Sequence, residues 1–268
     1  MNSFVGPFEK SLLGLLVILV AVYWVLDNCL PFVLYPELND VRSDYSVPDN
    51  ASPRQGRVVP AGERGVYMLD PAAFLNRDGF RKNRAVSSFD VRRINWFAKS
   101  TDGQMYPSNA FFVGFRPFRT RHYWLPLLAV SLRVRYMRDD DISVDEDTWQ
   151  TAPETYVRMA GDCEDHAILL ADWMVELGYD ARVVVGVFQG GLHAWVQLLK
   201  DGREYLLEAT DKSSRRRYPL AAFHPEYVPV FMFNRDHFWA AITENRGWRN
   251  RGATQGWVEL SCFEEGAF

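Results

Sequence analysis

The chain has 268 residues, 48% of them hydrophobic, and a formal net charge of −4. This allows one substantial core with a membrane segment besides, and the acidic balance offers no electrostatic footprint for nucleic acid. Three cysteines, Cys29, Cys163 and Cys262, without framework spacing exclude a disulfide scaffold and are compatible with a free nucleophile.

No charged residue falls between Ser11 and Leu26, and the apolar character resumes from Cys29 to Tyr35. The run approaches the length of a bilayer crossing. No small-x-small site closes it, so residues 1–36 read as an uncleaved anchor rather than a signal peptide. Lys10 before the run, with Glu37, Asp40 and Asp44 after it, puts the N-terminus in the cytoplasm. The expected location is the inner membrane, single-pass, with the remainder of the chain periplasmic.

Residues 37–65 are rich in Pro, Asn, Ser, Gly and charge and read as a linker. Residues 66–134 alternate aromatic and basic side chains, as in Phe111-Phe112-Val113-Gly114-Phe115-Arg116-Pro117-Phe118-Arg119, and read as a helical N-terminal subdomain. Within it Leu125 to Tyr136 is expected to be a helix with Pro126 in its first turn. Residues 135–268 then form the catalytic domain. Asp139-Asp140-Asp141 and Asp145-Glu146-Asp147 suit a solvated loop or a cation site, and Arg215-Arg216-Arg217 suits a solvated turn.

The chemistry concentrates at Gly161-Asp162-Cys163-Glu164-Asp165-His166. From Cys163 the chain runs through Ile168, Leu169, Ala171, Trp173, Met174 and Leu177 without Pro or Gly until Gly178, which predicts a helix opening at the cysteine. Asp162 is the expected N-cap. A thiol at a helix N-terminus ionises more readily, but Glu164 and Asp165 oppose that, so an imidazolium partner is needed. His166, one turn along the same helix, is a poorly placed base.

Asp180 to Phe188 is a β-branched run of strand character, and Leu192 to Leu199 alternates, with His193, Trp195 and Gln197 on one face. Asp201-Gly202 is a two-residue hairpin signal leading into Arg203 to Thr210. If Lys200 faces Arg203, Trp195 faces Glu208, and Glu208 lies diagonal to His193 within side-chain reach. A one-residue slip brings Asp211 to His193 instead. Cys163, His193 and Glu208, with Asp211 as the alternative acid, are therefore the candidate catalytic residues.

The sequence resembles the bacterial transglutaminase-like cysteine peptidases, of papain-like α+β fold. The likeness is carried by Asp147 to Thr155, the Gly-Asp-Cys-Glu-Asp box, Leu177 to Gly186, the His193-Ala194-Trp195 box and Tyr227 to Asn234, over roughly Arg135 to Trp239. The resemblance implies a helix bearing the cysteine packed on an antiparallel sheet, and a Cys-His-acid triad that cleaves a protein or peptide amide through a thioester. Glu208 stands where the family usually has aspartate. Trp149 and Gln150 become candidate oxyanion donors beside the backbone N–H of Cys163. The periplasmic biofilm-related members bind calcium through carboxylates flanking the cysteine, which assigns Asp162, Glu164 and Asp165 to a possible calcium site or, alternatively, to helix capping. No cofactor is otherwise required. Acyl transfer to an amine, deamidation of glutamine, or noncatalytic peptide binding are the other uses of such a groove.

Overall fold

The computed structural model describes residues 7–28, 30–35, 38, 51–61, 94–138, 147–212, 218–241 and 257–266. The chain divides into two compact units, Met1–Tyr45 and Ser46–Phe268. The first contains α1 (Pro7–Asn28) and α2 (Leu30–Leu34). At ~1.5 Å per residue, α1 is about 33 Å long. Its described side chains from Leu13 to Trp24, and Leu26, are exposed. Among the described residues, no helix is long and apolar enough to cross a membrane.

The second unit is α+β. In chain order its elements are β1 (Gly56–Pro60), β2 (Phe97–Ser100), β3 (Met105–Pro107), α3 (Leu125–Arg133), β4 (Arg135–Tyr136), β5 (Thr148–Trp149), α4 (Ala152–Arg158), β6 (Ala160–Gly161), α5 (Cys163–Glu176), β7 (Asp180–Phe188), β8 (Gly191–Lys200), β9 (Arg203–Leu207), β10 (Tyr227–Phe233), β11 (His237–Ala241) and β12 (Trp257–Glu265). Seven strands form one sheet in the order β1-β12-β11-β10-β7-β8-β9, with every pairing antiparallel.

The helix expected at Cys163 forms as α5. Asp162 and Asp165 make a reciprocal capping box at its start, and Gly178, at φ +86°, lies just beyond its end. Ile168, Leu169, Leu170, Ala171, Trp173 and Met174 are fully buried, and α5 packs against β7 and β8. Pro126 opens α3 as expected.

The β8–β9 hairpin has the anticipated register. Lys200 pairs with Arg203 and Val196 with Leu207. Asp201 and Gly202 both have positive φ, 52° and 69°, as a type I′ turn requires. The strand closes at Leu207, earlier than the expected Thr210, and leaves Glu208 just past its end.

Two domain expectations are corrected. Residues 37–65 are not all linker, because β1 forms the sheet edge against β12, with Gly56 opposite Glu265 and Pro60 opposite Ser261. The Arg57-Val58-Val59 segment, with Arg57 exposed and both valines partly buried, suits an edge strand. Residues 94–124 are not helical but form β2, β3, a 3-10 turn at Ser108–Phe111 and an extended segment. The extended segment is held by Asp172 of α5, whose carboxylate accepts the N–H groups of Val113, Gly114 and Phe115 at 2.9–3.2 Å. Residues 66–93, the acidic run at 139–146, Arg215 to Arg217 and Cys29 lie outside the described residues.

Candidate active site

Cys163 is the first residue of α5 and is partly accessible. Its Sγ donates to Glu164 Oε2 at 3.1 Å. His193 is the third residue of β8, facing Gly186 of β7. A Cβ at Gly186 would overlap the Val228 carbonyl, Pro229 Cα and the Trp195 ring. The missing side chain thus lets β10 and Trp195 close up directly beside the histidine. Phe188 and Trp195 flank the imidazole, with ring centroids 5.5 and 6.3 Å away. This apolar wall excludes water and strengthens the charge interactions inside it.

The imidazole Nε2 donates to Glu208 Oε2 at 2.7 Å. Burial alone would lower the His193 pKa, but hydrogen bonds to Cys163 and Glu208, and the charges of both, outweigh it and push the ring up to about 10. Its side chain is only 14% exposed, so this pairing is weakly screened by solvent. Glu208 shows the converse: burial raises its carboxyl, and the His193 and Thr210 hydrogen bonds overcome that and hold it below the usual value. Thr210 gives its backbone N–H and its hydroxyl to Glu208 Oε1 at 2.9 and 2.6 Å. Tyr227 gives its hydroxyl to Oε2 at 3.2 Å. Asp211 is exposed, and Glu208 is the carboxylate on the ring.

His166 is fully buried, with Nδ1 2.6 Å from the Asp162 carbonyl and Nε2 3.2 Å from the Val134 carbonyl. Desolvation, then the nearby Lys212 cation, lower its pKa to about 4. In that neutral form it donates to one of the two carbonyls while it packs between the start of α5 and the end of α3.

Of the two candidate side-chain oxyanion donors, Gln150 is committed to other acceptors, and the Trp149 ring packs in the core. Trp149 is buried between Phe111 and Phe233, its ring centroid 5.5 and 5.8 Å from theirs. The amide of Gln150 donates to Asp165 Oδ2 and to the Ala160 carbonyl.

The carboxylate set is also revised. Asp165 is fully buried and accepts the backbone N–H of Gln150 at 2.7 Å and of Asp162 at 3.3 Å, besides the Gln150 amide. It is a structural cap. Asp147 takes its place in the cluster: ligand oxygens of Asp147, Asp162 and Glu164 all lie within 4.8 Å of one another. Burial, then the charges of Cys163, Asp162 and Asp147, push the Glu164 carboxyl well above its usual range. Glu164 thus resists ionisation among like charges, and an all-oxygen donor set of this kind fits calcium.

Residues 147–250 match the CEP76 peptidase-like domain family, over less than half of the chain. This segment is similar to that peptidase-like domain. No curated protein matches the chain. Among solved structures, EGTA-treated LapG from Legionella pneumophila is 21% identical with a TM-score of 0.39, covering 48% of this chain and 73% of LapG. The calcium-bound form of LapG gives 21% identity and a TM-score of 0.39, covering 48% of this chain and 75% of LapG. A candidate cysteine protease from Cytophaga hutchinsonii is 16% identical with a TM-score of 0.33, over 52% of this chain and 51% of its own. The matched segment begins at Asp147 and so includes Asp147, Asp162, Cys163, Glu164, His193 and Glu208.

Residues that sequence reasoning missed are Thr210 and Tyr227, while Asp147 was read only as part of an acidic run suited to a solvated loop or a cation site. Thr210 was placed on the hairpin but given no role. Asp147 was visible within an acidic run, without a signal to separate it from its neighbours. Tyr227 reaches the site through pairing of β10 with β7, where it faces Phe188.

Proposed function

We propose that the peptidase-like domain is a thiol hydrolase that cleaves a protein or peptide amide bond, with Cys163 as nucleophile, His193 as proton carrier and Glu208 as its orienting acid. The observation that carries this reading is the buried imidazole held by Glu208 at 2.7 Å, whose protonated form Cys163 also favours. A ring so favoured in its protonated form stabilises a thiolate next to it. The thiolate attacks the amide carbonyl carbon, and the backbone N–H of Cys163, at the helix N-terminus, is the donor nearest the developing oxyanion. The imidazolium gives its proton to the leaving amine as the C–N bond breaks, leaving a thioester. Water then attacks the thioester carbon, the imidazole takes the water proton, and the thiolate departs with the carboxylic acid released.

Asp147, Asp162 and Glu164 are the residues that would hold a calcium ion. Its charge would stabilise the ionised carboxylates next to the thiol. For this chain's own residues, the relevant contact is the Cys163 to Glu164 hydrogen bond, which competes with the imidazole for the sulfur.

The same proposal takes α1 as a single-pass anchor in the inner membrane with the peptidase-like domain on its periplasmic side. Its support is the uncharged run from Ser11 to Leu26, the apolar character resuming from Cys29 to Tyr35, and the exposure of Leu13, Leu16, Val17, Ile18 and Val20. Fractionation after alkaline carbonate washing tests this: release into the supernatant refutes anchoring.

Iodoacetamide labelling tests the chemistry. Cys163 is expected to react faster than Cys262 and than a free thiol at mildly acid pH, and alkylation is expected to abolish cleavage of a protein substrate. Equal reactivity with full retention of cleavage removes the nucleophile. Offering an excess primary amine separates outcomes, because cleaved peptide bonds mark hydrolysis whereas amine adducts mark acyl transfer.

A further inference from the structure

A glutamate in the third position has one more rotatable bond than an aspartate, and its terminal torsion is broad. Nothing within the side chain decides which oxygen meets the ring. The surroundings of Glu208 do. Oε1 takes both donors of Thr210, at 2.9 and 2.6 Å, and Oε2 takes His193 at 2.7 Å and the Tyr227 hydroxyl at 3.2 Å. Tyr227 is itself immobilised: it is 6% exposed, stacked on Phe188 with centroids 4.2 Å apart, and set edge-on to Trp195 at 5.1 Å. Phe188 and Trp195 are the same two rings that flank His193. The aromatic wall therefore sets the imidazole and the phenol against one carboxylate oxygen from two sides. Burial, then the Glu208 charge, raise the phenol well above its ordinary pKa, so it stays a donor.

Resting on the triad reading above, we propose that Tyr227 is a positioning residue that, with Thr210, locks the Glu208 carboxylate so that the longer acid keeps Oε2 on the His193 ring. Tyr227 touches neither the sulfur nor the substrate carbonyl in this account. It acts through Glu208. Without its hydroxyl the carboxylate can rotate about its terminal bond, and the ring loses its fixed acceptor.

The test compares Tyr227→Phe with the native protein, calcium being present throughout. The deciding readout is the His193 Nε2–H proton in ¹H NMR of ¹⁵N-histidine-labelled protein, identified by its loss in His193→Gln. The native protein is expected to show it as a downfield, exchange-protected resonance, and Tyr227→Phe to broaden or lose it. The rate of Cys163 alkylation at mildly acid pH is expected to fall about tenfold, the weight of one hydrogen bond to a charged group. Thr210→Val, which removes only the hydroxyl donor, is expected to act on the resonance in the same direction and serves if Tyr227→Phe fails to fold; Thr210→Ser is expected to restore it. An unmoved ring proton in the folded variants, or its absence from the native protein, overturns the assignment. Failure of the triad reading shows differently: native Cys163 then alkylates no faster than a free thiol, whatever the ring proton does.

Discussion

Replacing Glu208 with glutamine removes the charge from the His193 pair while changing almost no volume. The pairing lifts the ring from 6.5 to about 10 against the opposing effect of burial, a net preference for the imidazolium of roughly 5 kcal/mol. Cys163 and Glu208 share it. Because they also offset burial, half of their push is about 2 pH units or more, so Glu208→Gln lowers the ring by at least that. The amide also cannot satisfy its surroundings: with its oxygen on His193, its NH₂ faces the two Thr210 donors. In the native protein the histidine contribution to stability is complete below 6.5 and is lost as pH rises through about 10. The glutamate contribution has the opposite sense: it is complete above 4.5 and is lost as pH falls through the lowered native value. The pair is thus at full strength between 4.5 and 6.5. The assay is a pH titration of the His193 ring by NMR in ¹⁵N-histidine-labelled native protein and Glu208→Gln. A midpoint that does not move refutes the reasoning, since it would mean that Glu208 does not hold the ring charge in solution.

Asp165→Ala removes the acceptor of the Gln150 backbone and side-chain amides and of the Asp162 N–H; stranding these buried donors is expected to cost about 3 kcal/mol or more, and an unchanged thermal midpoint would show that Asp165 is not the cap. Asp172→Ala strands three backbone N–H groups and parts Arg235 from a carboxylate 3.1 Å away. Denaturant unfolding is expected to register a loss of about 3–5 kcal/mol, against which a loss below 1 kcal/mol would count decisively. Calcium is expected to raise the thermal midpoint and EDTA to reverse it, with stabilisation of about 2.7 kcal/mol at a hundredfold excess over Kd. Asp147→Asn and Glu164→Gln should each weaken that response while Asp211→Asn leaves it intact, and an equal response in all variants removes the proposed ligands.

What could be read from the sequence follows the range of the interactions involved. The helix at Cys163 and the β8–β9 register are local: a capping residue, an apolar run ended by Gly178, and an Asp-Gly turn define them within a few residues. Because the side-chain period of a strand is two, fixing the turn was enough to select Glu208 over Asp211 for the ring. The edge strand β1 was hidden because its partner β12 lies some 200 residues away, and the composition around it matches a linker. The segment after β3 has no helical periodicity to reveal its path, and its conformation is imposed by Asp172 from α5.

The carboxylates around Cys163 show why residue type alone misassigned the cation cluster. Asp162, Glu164 and Asp165 are neighbours in sequence, but a helix start turns successive side chains about 100° apart, so three adjacent acids do not converge on one point. Asp165, three residues after the N-cap, turns back to it and to Gln150. That vacates the third position for a residue from another element, and Asp147, just ahead of β5, arrives there because β5 is anchored through Trp149 in the core and through Gln150 on Asp165 itself. One buried carboxylate thus both caps α5 and tethers the strand that brings Asp147 to Glu164. Disturbing Asp165 should consequently weaken calcium binding without touching a ligand, a coupling that independent acidic residues on a solvated loop would lack.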